Sequence, residues 1–405
     1  MLSRLTIVFL VAVLVPLVSI SFGTETVIVT DISGEKSTGT LKRWSAEKLA
    51  IASTSEREFA REDVRSVVFE RSSKNVAFGE SSIRMSSGDQ ISARVVSVAN
   101  DVLTVSWPVL GEAASSKIPL EHVVAMIFEW PATMTERLRL LADIETLPPG
   151  SDLVMLKNGN RSLGEFARLD AAFVELKGAT SSLKLDRSRI RAIRLNPELT
   201  AVARQTGRRA IFTLSDGSRL TATNVELVDD GLKLKSPGIG NVILPLDAIV
   251  ACHLFGEQLI PVSDYEPSKI EFTPYLSTEW PLLRNANVRH GSLVLRGSEF
   301  TTGLGMHSRM AVTYDLRGNE REFQGIVGID DIANGGGSAI FAVELDGHRV
   351  WTSPELTGKS TAMSLPKIGL RGGKQLTLLV DFGQYADVSD YADWCDAVLI
   401  VDRTR

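Results

Sequence analysis

Short stretches in which apolar and polar residues alternate dominate the chain after residue 24. Val225-Glu226-Leu227 and Leu232-Lys233-Leu234 are examples. In a strand, this period of two places the apolar side chains on one face and the charges on the other. The dipeptides Asn158-Gly159 and Asp216-Gly217 interrupt such stretches and supply the positive φ angles of tight hairpins. The pattern predicts an all-β chain of short strands joined by tight turns.

The alternating pattern recurs in four units before residue 257. Each unit begins with an apolar strand and a glycine-containing turn and ends on a similar apolar strand; the four endings are Val64–Phe69, Val123–Phe128, Ile190–Leu195 and Ile249–Leu254. A short polar segment precedes the last strand of each unit and predicts a single helical turn there. It contains Glu62 in the first unit, Glu121 in the second, Ser188 in the third and Asp247 in the fourth. Five short strands with that break predict a small SH3-like or Sm-like barrel for each repeat.

A unit of about 50 residues buries only a modest core, so we expect the units to pack in pairs, one with two and three with four. A stretch with helical propensity, Thr133–Ala142, ends near Pro148-Pro149-Gly150 and separates the second unit from the third. The proline-containing segment from Pro261 to Pro267 reads as an extended linker. The predicted boundaries are: signal peptide 1–23, β repeats 24–72 and 80–130, helical linker 131–150, β repeat 151–196, linker 197–209, β repeat 210–257, and β-sandwich 262–405.

The N-terminus has the pattern of a secretory signal peptide. Arg4 precedes an apolar run from Leu5 to Ile20, and small residues follow up to Gly23. We expect cleavage near Gly23 and a secreted, periplasmic or cell-envelope location, with no stable membrane span afterwards. An uncleaved N-terminal anchor is the alternative.

Charge and cysteine content narrow the function. A net charge of −5 and a pI near 5.7 argue against a nucleic-acid surface, which needs a basic face. The two cysteines, Cys252 and Cys395, fall in different predicted domains. We expect two buried free thiols; a bridge between closely packed domains is the alternative.

The last third of the chain has strand signals at Gly291–Leu295, Met310–Leu316, Glu322–Ile329, Ala339–Leu345, Gln375–Asp381 and Ala397–Val401. Many short strands separated by glycine-rich turns predict an antiparallel β-sandwich.

Three blocks in this region carry a family resemblance. They are Gly303 to Ser308, Phe323 to Asp331 and Asp390 to Ala397, in that order. Together they resemble the NPCBM domain, a carbohydrate-binding module named after glycosyl hydrolase family 98, over about residues 270–405. The resemblance implies a galactose-binding-like jelly roll and a terminal, galactose-like sugar as the ligand.

Sugar recognition needs an aromatic face for the apolar side of the ring and paired donors and acceptors for the hydroxyls. The loops supply these residue types, and the predicted ligand-binding residues are His307, Arg309, Asp330, Asp331, Asn334, Asp393 and Trp394. We expect the loop from Asn334 to Gly337 to be flexible enough to shape a pocket. Each assignment has a structural alternative: Trp394 as a core residue, His307 as a satisfied histidine, and Asp330 and Asp331 as turn caps.

A structural calcium ion is a further hypothesis, with Asp390, Asp393 and Asp396 as weak candidate ligands, because oxygen clusters suit hard cations. No other cofactor is expected. The sequence contains no His-Glu-x-x-His, Gly-x-Ser-x-Gly or P-loop motif, and small barrels rarely offer the cleft between two carboxylates that glycosidases need.

The sequence therefore predicts an exported, non-enzymatic carbohydrate-binding protein. The rival hypothesis is a structural or protein-interaction scaffold of the cell envelope without a sugar ligand, with envelope proteins as partners.

Overall fold

The computed structural model describes residues 25–70, 81–111, 114–146, 150–178, 181–201, 205–229, 231–275 and 278–402. Strands dominate these residues, which confirms the all-β class; one α-helix, α1, spans Met134–Thr146 where the sequence predicts a helical linker. The predicted signal peptide at 1–23 lies outside the described residues. Within the described residues, no helix is long and apolar enough to cross a membrane.

Each of the four units contributes strands in the same order, with a 3₁₀ turn before its last strand. In the first two units the elements are β1 (Thr26–Asp31), β2 (Lys36–Trp44), β3 (Lys48–Ala52), β4 (Glu56–Ala60), a 3₁₀ turn (Arg61–Asp63), β5 (Val64–Phe69), β6 (Ser82–Met85), β7 (Gln90–Ile91), β8 (Arg94–Ala99), β9 (Val102–Ser106), a 3₁₀ turn (Pro108–Leu110), β10 (Ser115–Pro119), a 3₁₀ turn (Leu120–His122) and β11 (Val123–Ile127).

The third and fourth units follow α1. Their elements are β12 (Asp152–Leu156), β13 (Arg161–Leu169), β14 (Phe173–Lys177), β15 (Ser182–Asp186), a 3₁₀ turn (Arg187–Arg189), β16 (Ile190–Arg194), a 3₁₀ turn (Pro197–Leu199), β17 (Arg209–Leu214), β18 (Arg219–Ala222), β19 (Asn224–Val228), β20 (Gly231–Ser236), β21 (Gly240–Leu244), a 3₁₀ turn (Leu246–Ala248) and β22 (Ile249–Phe255).

The first hairpin of every unit turns at a glycine with positive φ. The angles are 92° at Gly34, 88° at Gly88, 89° at Gly159 and 80° at Gly217. This conformation is readily accessible only without a Cβ, so glycine fixes where each unit turns back on itself. The helical turns predicted before the last strands are present at Glu62, Glu121, Ser188 and Asp247.

The strands of a unit form a ladder that stays open. In the first unit β1 pairs with both β2 and β5, and β3 pairs with β2 and β4. No pairing joins β4 to β5 among the described residues; the 3₁₀ turn of Arg61–Asp63 connects them instead. The SH3-like or Sm-like barrel is therefore not confirmed and stays a prediction.

The last strands of the units join them in pairs, but not in the pairs expected from chain order. Strand β5 pairs with β22 around Val67 and Cys252, and β11 pairs with β16 around Met126 and Ile193. The expected pairing of one with two and three with four is wrong. Each pair meets at equivalent residues of the two units, so it has an approximate two-fold relation. The four apolar endings are too alike for their sequences to specify the partner.

The C-terminal strands form the predicted antiparallel sandwich. They are β23 (Leu259–Pro261), β24 (Lys269–Phe272), β25 (Leu283–Arg284), β26 (Leu293–Leu295), β27 (Ser298–Phe300), β28 (Gly303–His307), β29 (Met310–Asp315), β30 (Glu320–Ile329), β31 (Ser338–Leu345), β32 (His348–Thr352), β33 (Leu356–Thr357), β34 (Met363–Ser364), β35 (Ile368–Gly369), β36 (Gln375–Phe382) and β37 (Tyr391–Val401), with 3₁₀ turns at Val262–Asp264 and Asp331–Ala333.

Two sheets of described strands make up the sandwich. One has the order β25-β28-β37-β30-β34, with β23 beside β37 and β35 beside β30; the other has the order β24-β29-β36-β31-β32, with β33 beside β31. Their inner faces share one core, which includes Leu304, Phe323, Phe341 and Leu378. The hairpin of β26 and β27 lies outside against Cys395.

The segment that reads as a linker in the sequence is part of the sandwich. Strand β23 pairs with β37, and Val262 and Tyr265 are buried in the core. The alternation signal missed this because the strand has only three residues. The two cysteines are free and buried, as expected.

A buried ion pair joins the fourth unit to the sandwich. The Arg209 guanidinium donates to both carboxylate oxygens of Asp264, at 2.6 Å and 2.9 Å, and both side chains are about 95% buried. The same guanidinium lies over the ring of Phe255. Burial of two charges is tolerated only where each satisfies the other, so this contact fixes the junction.

We expect Asp264→Asn to lower the free energy of unfolding by about 3 kcal/mol, because it leaves the Arg209 charge buried without a counter-ion. Urea unfolding of the full chain measures this. The matched control is Glu271→Gln, which removes an exposed pair with Lys269 and should cost under about 1 kcal/mol. Equal losses in the two variants would contradict the structural role of the junction.

Candidate functional site

The loops at one end of the sandwich meet around the turn between β28 and β29. This turn, His307-Ser308-Arg309, crosses from one sheet to the other. Asp390 holds it from below: it accepts a hydrogen bond from the Ser308 hydroxyl at 2.5 Å and another from the backbone N–H of Ser338 at 2.8 Å. Burial raises the pKa of Asp390 to about 6, while these two hydrogen bonds act in the opposite direction.

Asp330 organises a second loop. Its carboxylate accepts hydrogen bonds from the backbone N–H groups of Val294 and Ile332 and from the Asn287 side chain. The Asn287 side chain in turn accepts from the backbone N–H groups of Arg289 and Gly291. The loop from Asn287 to Ser292 is therefore shaped by a buried Asp–Asn pair. The predicted ligand role of Asp330 is not supported by this position, because its oxygens already have backbone partners.

Close backbone packing sets the position of this loop on β28. A Cβ at Gly305 would overlap the Ala286 carbonyl and the Asn287 Cα. The motif Gly303-Leu304-Gly305 is therefore part of strand β28, and Gly305 has no side chain where the loop crosses the strand. Backbone packing explains this glycine without a direct ligand contact.

Asp331 and Asn334 are exposed, but Asp331 has a structural task. Its carboxylate accepts hydrogen bonds from the backbone N–H groups of Arg296 and Gly297, which hold the β26–β27 hairpin. The alternative reading of Asp330 and Asp331 as turn caps therefore agrees with the contacts.

The glycine loop after Asn334 is tightly packed. Gly337 lies against the Ser389 carbonyl, and the N–H of Gly358 donates to the carbonyls of Gly336 and Gly337. The glycines permit this close contact between backbones, and the flexibility expected of the loop stays a prediction.

Trp394 and Asp393 are interior residues. Trp394 is 0% exposed and packs against Phe323, Phe341 and Trp351 in the sandwich core. The prediction that its indole stacks on a sugar is wrong, because no part of the ring reaches solvent. Asp393 is equally buried, and no N–H or hydroxyl donor of the described residues reaches its oxygens; its polar neighbour is the Asp330 carboxyl, with which it can share a proton.

Burial raises the pKa of Asp393 well above its ordinary value, and the nearby Asp330 carboxyl raises it further. Burial raises the pKa of Asp330 as well, but a hydrogen bond from the Asp393 carboxyl and those from the N–H groups of Val294 and Ile332 oppose this. We therefore take Asp393 as the protonated member of the pair at neutral pH. A neutral carboxyl is the form that a dry interior tolerates.

The three candidate calcium ligands do not converge. Asp390 binds Ser308 and Ser338, Asp393 is enclosed beside Asp330, and Asp396 lies 4.0 Å from the Arg65 guanidinium. Nowhere in the described residues do three His, Cys, Asp or Glu side chains form a group that could hold a metal ion.

A partly exposed aromatic cluster surrounds His307. The indole of Trp280 stacks on the imidazole with ring centroids 4.4 Å apart and planes 2° apart. Tyr391 is the cross-strand neighbour of His307 in β37, and its ring centroid is 5.7 Å from that of Trp280. The Arg289 guanidinium lies 5.9 Å from the centroids of both Trp280 and Tyr391. We name these four residues the aromatic cluster.

His307 contributes a neutral ring. Burial lowers its pKa, although the Ser308 carbonyl and Asp387 act to raise it. Because a carbonyl can only accept, Nδ1 must carry the proton in its 3.0 Å contact with Ser308, which leaves Nε2 as an acceptor. His307 is only 2% exposed, so its main contribution is to support Trp280.

Arg309 lies on the other side of the same turn. It is exposed and 3.6 Å from Asp381, and Phe382, the next residue in the chain, forms an edge-to-face pair with Tyr275. The structure therefore places two of the predicted residues, His307 and Arg309, at the turn.

Sequence reasoning missed Trp280, Arg289 and Tyr391 as site residues. Trp280 and Arg289 belong to segments with little regular structure between β24 and β26. A tryptophan in a polar, irregular segment is a signal for surface recognition, but it lies outside the alternating pattern that indicates strands. Tyr391 was part of the third motif but stood beside the more conspicuous Trp394.

Comparison with known proteins identifies the C-terminal region. Residues 261–400 match the family model of the NPCBM/NEW2 domain, which confirms the resemblance. A Renibacterium salmoninarum protein with the provisional name endo-alpha-N-acetylgalactosaminidase is 30% identical over 105 residues, which is 26% of this chain and 7% of that protein. The chain thus spans a small part of this curated relative.

Solved structures similar to this chain include two from Clostridium perfringens. One is a CBM51 from GH95 in complex with methyl-galactose, at 24% identity and a TM-score of 0.32, covering 35% of this chain and 99% of that one. The other contains CBM51-2 with GlcNAc and INT domains of ZmpB, at 18% identity and a TM-score of 0.33, covering 44% and 39%.

We expect Asp393→Asn to reduce the pH dependence of stability. An unfolded Asp titrates near pKa ~3.9, and the folded pKa is higher. The folded state therefore binds more protons, and stability falls as pH rises from about 4 toward the folded pKa. An amide does not titrate, so the melting temperature of the variant should fall less between pH 5 and 8 than that of the parent.

Asp330→Asn is the matched comparison. It should lose about 1–3 kcal/mol near neutral pH, because an amide group would turn an N–H toward the donors that Asp330 now accepts from. Thermal melts across pH for both variants provide the measurement. If Asp393→Asn kept the parent's pH slope, the assignment of a protonated Asp393 would be wrong.

Proposed function

We propose that the chain is an exported, non-catalytic carbohydrate-binding protein whose C-terminal sandwich holds a terminal sugar at the aromatic cluster. The observation that carries this proposal is the stack of Trp280 on His307, beside Tyr391 and Arg289, at a partly exposed end of the sandwich. The match of residues 261–400 to the NPCBM/NEW2 domain supports it.

Each member of the cluster suits one part of a sugar. The apolar face of a pyranose packs on an aromatic ring, and Trp280 offers the largest such surface here. Arg289 provides N–H donors, and the Tyr391 hydroxyl can donate or accept. His307 holds the indole in place, so the platform is rigid before the ligand arrives, which reduces the entropic cost of binding.

The acids of these loops support a binding role over catalysis. The carboxylate oxygens of Asp330, Asp331 and Asp390 already accept hydrogen bonds from backbone N–H or hydroxyl groups. A glycosidase needs two carboxyl groups free to act on either side of the scissile bond. Arg309 and Asp381 are available as peripheral contacts for a larger glycan.

A protein-interaction scaffold is the second candidate. Large apolar side chains are exposed in the third unit, with Leu163 at 65%, Phe173 at 48% and Leu183 at 46%. Exposed apolar groups of this size suit a protein partner. Under this reading the sandwich binds no sugar, and capture from envelope extract is unaffected by free sugars.

We expect the full chain to bind glycans on an array, with galactose-terminated glycans tested first because the family resemblance implies them. Trp280→Ala should weaken binding about tenfold or more, ~1.4 kcal/mol, through loss of the stacking face. Arg289→Gln should weaken it less, because it removes a charge and some donors but no platform. Calorimetry with the best glycan measures both.

Phe173→Ala is the matched control, since this aromatic residue is exposed on the repeats and should not affect sugar binding. Trp394→Ala is unsuitable, because it would open a cavity in the core. The absence of any bound glycan, or the same affinity in Trp280→Ala as in the parent, would reject the site.

Export is a separate proposal that rests on the N-terminal pattern of Arg4, the apolar run and Gly23. When the gene is expressed in its own host, we expect the protein outside the cytoplasm, with a mature N-terminus near residue 24. Cell fractionation and N-terminal mass analysis test this. An intact Met1 in a cytoplasmic fraction would contradict it.

A further inference from the structure

A cleft between the first and fourth units contains an incompletely satisfied arginine. The cleft has a volume of about 230 Å³, and it is lined by Ser45, Ala46, Glu47, Arg61, Arg208, Ala222, Thr223, Asn224 and Val225. It lies in the repeats, outside the NPCBM/NEW2 match at 261–400. We name it the repeat cleft.

Arg61 forms the buried wall of the repeat cleft. It is only 8% exposed, and its guanidinium donates to the backbone carbonyls of Phe255 and Arg209, at 3.1 Å and 2.7 Å. These two bonds use two of its five N–H donors, so three have no acceptor among the described residues. No carboxylate of the described residues forms an ion pair with it.

A second cation faces the same space. Burial and then the nearby Arg208 lower the pKa of Arg61 to about 10, although Cys252, Glu47 and Glu62 act to raise it, so a second positive charge lies close to Arg61. Arg208 donates to the Ala46 carbonyl and lies 3.0 Å from Glu47, but the two charged side chains are exposed, and such an ion pair is weak. With Arg61, Arg208 and Glu47, the lining has an excess of one positive charge.

Two exposed polar side chains in the lining of the repeat cleft, those of Asn224 and Thr223, can form hydrogen bonds with a ligand. Asn224 is exposed, and its side-chain amide has no hydrogen-bond partner in the part of the chain that the structure describes. Thr223 is also exposed, and its hydroxyl bonds only to the Lys235 carbonyl, at 3.2 Å. A guanidinium fork beside hydroxyl and amide groups is the usual arrangement for binding carboxylate or phosphate.

We propose that the repeat cleft binds a small oxyanion, a carboxylate or phosphate group, through Arg61 and Arg208. The bound group neutralises the excess charge and accepts the unused Arg61 donors. The volume suits a single small moiety, so the ligand is a small acid or the acidic group of one sugar residue. This site is independent of the aromatic cluster and gives the repeats a ligand of their own.

Calorimetric titration of the full chain at low ionic strength tests the proposal with three probes: sodium glucuronate, inorganic phosphate and, as the neutral comparison, glucose. We expect saturable binding of glucuronate, of phosphate or of both, and none of glucose at this cleft. Binding of glucuronate alone identifies a carboxylated sugar, and binding of both identifies the oxyanion itself.

Two variants assign the binding to the cleft. Arg208→Gln should weaken it about tenfold, since a charge-assisted contact is lost, and Asn224→Asp should abolish it by placing a carboxylate at the cleft. Arg168→Gln is the matched control, because Arg168 is an exposed arginine paired with Asp170 in the third unit. Melting temperatures of all variants check that folding is kept.

The proposal is overturned if neither anion binds saturably, or if Arg168→Gln weakens binding as much as Arg208→Gln does. Trp280→Ala should leave anion binding unchanged, and the cleft variants should leave glycan binding unchanged. Failure of one site is therefore distinguishable from failure of the other.

Discussion

An ionised carboxylate can be buried only where N–H or O–H donors replace the water that it loses, and the end of the sandwich that carries the aromatic cluster depends on this constraint. The buried carboxylates of Asp330 and Asp390 accept from the backbone N–H groups of Val294 and Ser338, which are distant in the chain. The exposed carboxylate of Asp331 holds another distant segment through the N–H of Arg296. The positions of the segments bound by Asp330 and Asp390 are then fixed, because moving them would leave a buried carboxylate without hydrogen-bond donors. The loops are thus held by their acids, and the aromatic cluster is positioned by the loops.

The burial of strand faces explains which strands could be predicted from the sequence. Alternation of apolar and polar residues identified most strands of the sandwich, because one face of each is buried. It failed at β37, where residues from Ala392 to Cys395 are buried without alternation. This strand lies at the centre of its sheet, and the β26–β27 hairpin covers its outer side near Cys395. With both faces covered, the pattern could not indicate that Trp394 points inward.

Residue type alone also left the acids ambiguous. Aspartate is a residue type that sugar sites use, and the sequence context of Asp330 does not distinguish a ligand contact from a loop anchor. What separates the two roles is the supply of donors, and for Asp330 that depends on Asn287 and Val294, which are distant in sequence. The repeats show a parallel limit: the four unit endings were recognisable, but their similar sequences do not specify that β5 pairs with β22 and β11 with β16.

The two halves of the chain are mechanically connected at the loop that carries Arg289. This loop ends at Ser292, whose hydroxyl accepts a hydrogen bond from Arg219 of the fourth unit, and Arg219 also lies 3.4 Å from Glu299. Arg209 and Asp264 clamp the same unit to the first turn of the sandwich. The repeats therefore restrain one border of the aromatic cluster, because displacement of the fourth unit would break donors to that loop. If the sandwich binds the proposed sugar, the repeats contribute to the rigidity on which the preorganisation of that site depends.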